Sequence, residues 1–278
     1  MSATAARLDE LKAQGRAALV GYLPIGFPTV DDSIVAARAL VEAGADVVEL
    51  GVPYSDPVMD GPTIQQAVDT ALLAGARVRD TFRVVEAVAE LGAPVLVMTY
   101  WNPVLRYGVD AFARDLVAAG GAGLITPDLI PDEGTDWIAT SEKHDLDRVF
   151  LVAPSSTPER LRSTAAASRG FVYAASTMGV TGERTTVGAH AQELVEHTRA
   201  AGAEHVCVGL GVSTGAQAAG IAAYADGVIV GSAFVRPLLG EGSFTARVDA
   251  MQRVTEEIAA GVRGARRTTD VTSGAVGS

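Results

Sequence analysis

Residues 46–67 read DVVELGVPYSDPVMDGPTIQQA, and the reading of the first six decides the fold. The run Val47-Val48-Glu49-Leu50 is apolar and β-branched except for one acid. Successive side chains of a strand point to opposite faces. Val47, Glu49 and Gly51 therefore share one face, and Val48, Leu50 and Val52 the other. Which face is the inside depends on the rest of the chain.

Working outward, short apolar runs that end in Gly, Pro, Ser or Thr recur at Ala18–Leu23, Asp46–Gly51, Pro94–Thr99, Ala122–Thr126, Arg148–Ala153, Phe171–Ala174, Glu204–Gly209 and Asp226–Gly231. Their start-to-start spacings are 28, 48, 28, 26, 23, 33 and 22 residues, most of which fit one strand plus one helix. Between them lie segments of helical period. In 30–43, Val30, Ile34, Ala37 and Val41 recur at helical spacing, Thr29 and Asp32 form a capping-box pattern, and Gly44 is a stop. Val109, Phe112, Leu116 and Ala119 repeat that pattern. The 48-residue gap has room for two helices, near 62–75 and 78–91, so an extra helix follows the second strand.

Strict alternation implies a parallel sheet, and eight units close a TIM (β/α)8 barrel of roughly 250 residues. An open doubly wound sheet is the runner-up, but Leu23-Pro24-Ile25-Gly26-Phe27-Pro28 follows the first strand where a dinucleotide fingerprint would stand. Residues 3–14 read as an extra N-terminal helix that plugs the barrel bottom. The expectation is one barrel domain over 1–262 and a flexible tail over 263–278, where apolar period is lacking.

The 278 residues, 48% of them hydrophobic, can bury a sizeable core. No apolar run approaches the ~20 residues of a membrane span, and the N-terminal stretch has no signal core. A net charge of −11 argues against a nucleic-acid partner. The single cysteine, Cys207, suits a reducing cytoplasm and reads as a core residue.

In a barrel the bulky set, Val48, Leu50 and Val52, must face the helices. Glu49 then points inward, near the strand end where barrel active sites form. Burial lifts a carboxyl's pKa and fits it for proton transfer at pH 7. A structural Glu bonded to a neighbouring strand is the alternative. Asp60, ahead of Gly61-Pro62, is either a second site acid or a helix N-cap. Asp56 is a turn former, and the three acids together could instead hold Mg²⁺.

A second constellation comes late. Gly209-Leu210-Gly211-Val212-Ser213 and Val230-Gly231-Ser232-Ala233 each lead from a strand into a helix. Glycines there admit a ligand close to main-chain N–H groups, and the loops after strands seven and eight commonly cradle phosphate in this fold. The Gly- and Thr-rich stretch 176–187 reads as a lid or a surface loop. Tyr22, Tyr100 and Tyr173, at the ends of strands one, three and six, could wall a pocket for a planar group or equally be core residues.

ELGVPYSDPVMDGPTIQ resembles the signature of the tryptophan synthase alpha chain family. GYLPIGFP, MTYWNPVLRYG, MGVTGER, GLGVS and VGSAFV follow in the family's order, and the likeness runs from about residue 15 to 260. It implies a lyase that cleaves indole-3-glycerol phosphate by a retro-aldol step to indole and glyceraldehyde 3-phosphate. It makes Glu49 the acid/base and Asp60 the carboxylate that holds the indole N–H. Gly182, Gly211, Gly231 and Ser232 become the phosphate cradle, Tyr22, Tyr100 and Tyr173 pocket walls, and Thr181 a lid residue near Asp60. No cofactor is implied in this chain. Pyridoxal phosphate is implied on a partner beta chain, within an alpha2beta2 heterotetramer. Met59 departs from the family's frequent Ala, Tyr22 from its frequent Phe, and Thr177-Met178 from other lids. A Schiff-base aldolase is a poor rival, since Lys12 and Lys143 both lie in helical segments. A non-catalytic barrel that only activates the partner is another rival.

Overall fold

The computed structural model describes residues 2–175, 184–209 and 211–266, with 184–189 as backbone alone. The first part of the chain runs α1 (Ala3–Ala13), β1 (Ala18–Pro24), α2 (Val30–Glu42), β2 (Val47–Gly51), α3 (Pro62–Leu73), α4 (Asp80–Ala89) and β3 (Val95–Met98). Next come α5 (Trp101–Tyr107), α6 (Val109–Ala118), β4 (Gly123–Ile125), α7 (Thr135–Lys143), β5 (Asp147–Val149), β6 (Leu151–Val152) and α8 (Pro158–Ala167). The remainder is β7 (Val172–Ala175), α9 (Arg184–Ala200), β8 (Val206–Gly209), α10 (Gly215–Ala222), β9 (Gly227–Val230), α11 (Ser232–Leu238) and α12 (Phe244–Gly264).

All strand pairs are parallel, in the order β5-β4-β3-β2-β1-β9-β8-β7-β6. The two ends of that order are consecutive pieces of one extended run, broken at Phe150. The first piece pairs with β4 and the second with β7. The Phe150 carbonyl accepts the Tyr173 N–H at 3.0 Å between them. The fifth strand, expected as one piece over Arg148–Ala153, thus changes neighbour along its length and closes the (β/α)8 barrel.

Side-chain alternation then sorts the core into two. Val48, Leu50 and Val52 join Leu19, Val97, Val208 and Val230 in the layer between strands and helices. Val47 joins Val20, Leu96, Ile125, Val149, Cys207 and Ile229 inside the barrel. Leu8 and Leu11 of α1 belong to that inner group, so the N-terminal helix does plug the bottom. The Thr4 N–H donates to buried Asp147 at 3.1 Å, which ties the plug to the start of strand five. Arg16 makes a paired contact with buried Asp46, 2.9 Å on each arm, and fixes the turn from plug to first strand.

Thr29 is the N-cap of α2 as the pattern predicts: its hydroxyl accepts the Asp32 N–H at 3.2 Å, but the Asp32 carboxylate takes that hydroxyl at 2.8 Å and not the Thr29 N–H, so half of the box is made. The buried face of α2 runs through Ser33, Ala36, Ala37 and Leu40; of the expected Val30–Ile34–Ala37–Val41 stripe Ala37 belongs to it, and the other three are half-buried. The reason is close approach: a Cβ on Gly21 would stand 2.7 Å from Leu40, so small residues let the helix settle on β1. The two helices after β2 are α3 and α4. Two helices were not expected: α5, whose first N–H is held by Asp128 at 2.9 and 3.2 Å, and α12, which follows α11. The final helix continues to Gly264, two residues into the expected tail, and 267–278 lie outside the described residues.

The plug sets one test of the fold. Leu11 is fully buried beneath the barrel interior. Leu11→Ala should cost about 2–5 kcal/mol in urea unfolding, the usual cost of a buried cavity. A change near zero would mean that α1 does not seal the bottom.

Candidate active site

Glu49 sits on β2 opposite Tyr22 of β1 and Leu96 of β3, with its side chain inside the barrel. It is 1% exposed, and its Oε2 has no hydrogen-bond partner among the described residues. It lines a cavity of about 250 Å³ at the C-terminal ends of the strands. Burial, then the charge of Asp60, raises its pKa from 4.5 to about 8. Near pH 7 the group is mostly protonated and able to give a proton.

Asp60 lines the same cavity, and burial raises its pKa as well. It is not the cap of α3. Gly61 holds the N-cap position with no side-chain bond, and Pro62 begins the helix. The Asp60 carbonyl accepts the Gln65 side-chain amide at 2.8 Å, which leaves the carboxyl to the cavity. Asp56 is exposed and accepts the Ser55 hydroxyl at 2.6 Å. The three acids therefore do not converge. Among the described residues no group of three or more His, Cys, Asp or Glu could hold a metal ion.

The same cavity is lined by Gly211, Gly231 and Ser232. The two expected helix entries differ. Thr214 caps α10 by accepting the Gln217 N–H at 3.3 Å, whereas α11 begins at Gly231 with no side-chain cap. The first N–H groups of a helix lack partners within it. Those of α11 are free of a side-chain competitor at the cavity rim. Thr181 and Gly182 lie outside the described residues, and so does 176–183 of the expected lid; its end, from Arg184, is the start of α9.

Tyr22 and Tyr173 wall the cavity from opposite sides, and each leans over the end of the next strand. A Cβ on Gly51 would strike the Tyr22 ring and hydroxyl, and one on Gly209 would strike Tyr173. The glycines at those strand ends make room for the tyrosines. Tyr100 stands elsewhere. It does not line the cavity; its hydroxyl accepts the N–H groups of Val58 and Met59, each at 2.9 Å. Met59 itself reaches the cavity, as do Ile64, Met98, Leu151 and Ile229, which sequence reasoning did not single out. The period-two alternation that located Glu49 would have found Met98, Leu151 and Ile229 on the inner face.

With this geometry in place, comparison with known proteins is specific. The family model described as tryptophan synthase alpha chain matches residues 8–263. The tryptophan synthase alpha chain of Mycobacterium marinum is 62% identical over 255 residues, 92% of this chain and 93% of the relative. That of Mycobacterium tuberculosis is 62% identical over 92% of each chain. A crystal structure of tryptophan synthase from M. tuberculosis in an open form superposes with a TM-score of 0.87 at 58% identity, covering 95% of this chain and 99% of that one. The alpha subunit from Legionella pneumophila, 29% identical, gives 0.85 over 94% of this chain and 98% of its own.

The raised pKa of Glu49 makes stability depend on pH in a definite direction. Its folded value, about 8, exceeds its unfolded value near 4.5. The folded protein therefore holds the proton more tightly. Stability from this group is full below the unfolded value and is lost as pH rises through the folded one. Glu49→Gln is neutral throughout, so its stability relative to the native chain should improve between about pH 5 and pH 8.5 in urea unfolding. An offset that is the same at both pH values would contradict the buried, protonated assignment.

Proposed function

The chain belongs to the tryptophan synthase alpha chain family, which cleaves indole-3-glycerol phosphate in tryptophan biosynthesis, and from that membership we propose how its residues carry the reaction. The observation that supports the reading is a single cavity lined both by a buried, protonatable carboxyl and by the uncapped start of α11.

In this proposal the substrate's phosphate rests on the main-chain amides around Gly211, Gly231 and Ser232, with Gly182 as the fourth member of the cradle. Its indole ring lies between Tyr22 and Tyr173, with the ring N–H toward Asp60. Glu49, protonated, delivers its proton to indole C3. The ring becomes an indolenine whose C=N⁺ takes up the electron pair when the bond from C3 to the glycerol carbon breaks. That carbon's hydroxyl becomes a carbonyl as its proton passes to the Glu49 carboxylate. Indole and glyceraldehyde 3-phosphate leave, and Glu49 regains its starting form. Asp60 stabilises the positive charge that builds on the ring nitrogen, an effect that is large in a dry site. Two carboxyls in one cavity disfavour joint ionisation, which keeps Glu49 the acid and leaves Asp60 to carry the charge. The substrate's own ring serves as electron sink, and Thr181 belongs to the lid that covers it.

The family name implies a beta-chain partner. We place its pyridoxal phosphate on that partner and the assembly as an alpha2beta2 heterotetramer in the cytoplasm. Val58, Leu105 and Ile130 support a contact surface here. They are exposed by 84%, 53% and 37%, on the segments that follow β2, β3 and β4 at the mouth of the barrel. No helix among the described residues is long and apolar enough to cross a membrane.

The experiment is indole release from indole-3-glycerol phosphate. Glu49→Gln should lower turnover by ~10²–10⁴-fold, the usual worth of a general acid, with KM little changed. The native rate should fall as pH rises through about 8, where the acid form is lost. Asp60→Asn should also cost rate. Near-native turnover in Glu49→Gln would remove the proton-transfer role. A further expectation concerns the partner: Val58→Asp should weaken beta-chain association in sedimentation while indole release by the free chain stays within about twofold, since burying an unpaired charge in a contact is costly.

A further inference from the structure

We propose that Tyr100 is a positioning residue for Asp60, acting through the main chain of the loop and not through the substrate. This rests on the role given to Asp60 above. Tyr100 is held firmly itself. It is the N-cap of α5, and the Thr99 hydroxyl donates to its carbonyl at 2.9 Å. The next residue, Trp101, gives its N–H to both oxygens of Asp128. The ring stacks on Tyr54, with centroids 5.0 Å apart and planes 29° from parallel.

From that base the hydroxyl reaches the loop. It accepts the N–H groups of Val58 and Met59, both at 2.9 Å. A tyrosine hydroxyl has two acceptor sites, and here two consecutive main-chain donors fill them. Those residues come immediately before Asp60. Their side chains do not fasten the loop, since Val58 is 84% and Met59 49% exposed. On the other side, Gln65 holds the Asp60 carbonyl at 2.8 Å. Asp60 is thus caught between an anchor at the N–H of the preceding residue and one at its own carbonyl. Burial raises the pKa of the Tyr100 hydroxyl, the two amide bonds oppose that rise, and Asp60 adds to it, which puts the carboxylate within electrostatic reach. If the Tyr100 hydroxyl goes, water can satisfy the two amides, but the loop can then drift. Displacement of a charge-stabilising group by about 1 Å can cost up to ~10²-fold in rate.

The test is a double-mutant cycle on the full chain, read as steady-state indole release. Tyr100→Phe keeps the ring and the stack and removes only the acceptor. It should lower kcat by about tenfold, leave KM within about twofold and leave the thermal midpoint unchanged, as expected for a group felt in the transition state. In an Asp60→Asn background the same substitution should cost less than about twofold, because residues that act as a unit are not additive. Equal losses in both backgrounds, or no loss in the native one, would overturn the proposal. An inert Asp60→Asn would instead overturn the role of Asp60 itself. Tyr54→Leu provides a second arm. It removes the stack but keeps the hydroxyl, and should show a smaller loss with the same background dependence; this arm decides the matter if Tyr100→Phe does not fold.

Discussion

The site depends on the cost of moving a carboxylate out of water. A barrel strand must send every second side chain inward, and on β2 the second of these is Glu49. With almost no exposure and an oxygen that has no hydrogen-bond partner among the described residues, the charged form loses its hydration without a matching gain from them. The group responds by keeping its proton to about pH 8. A nearby cation would have paired with it and destroyed the acid. Among the described residues, the ionisable side chains that feel its charge are Asp60, Tyr22, Tyr173 and Cys207, and the charge of Asp60 pushes in the same direction as burial.

The barrel interior divides its labour by height. Below the cavity it is filled with Val20, Val47, Leu96, Ile125, Val149 and Cys207, none of which lines it, and sealed by Leu8 and Leu11. Above that level, Gly51, Gly209 and Gly231 replace bulk, and the freed volume holds the tyrosines and the cavity. Stability and chemistry thus occupy different layers of one cylinder, as the fold generally arranges them. Cys207 belongs to the lower layer, where burial raises its thiol pKa well above the ordinary value and leaves it unreactive.

What could be read from the sequence follows the range of the forces. Alternation is local, so the inward turn of Glu49 and the two faces of β2 were legible. The Thr29 cap is local too, and it formed as read, although Asp32 returns its bond to the Thr29 hydroxyl. The helix α5 was not legible: Pro103 lies within its seven residues, and the carboxylate that starts it, Asp128, is 27 positions away. The break in strand five was hidden for a related reason, since each half is set by a different neighbour, β4 or β7. The sequence left Asp60 open between cap and site acid. That choice turned on whether Gly61 takes the cap position, which is a matter of one residue. Family likeness made Tyr100 a pocket wall, and only its long-range bond to 58–59 shows it behind the loop.

The three prolines that crowd 53–62 fit the same picture. A loop that must aim a carboxylate at a developing charge gains nothing from freedom, because any reorganisation during the reaction adds to the barrier. Pro53 and Pro57 restrict the chain before the loop meets Tyr100, and Pro62 begins α3 with its φ already helical. Between them the hydroxyl of Tyr100 and the amide of Gln65 fix the main chain on either side of Asp60. Stiffness is thus concentrated at Asp60, the one acid that the loop delivers to the cavity. Asp56, three residues from Pro53 and bonded only to its neighbour Ser55, is left to the exposed outer turn.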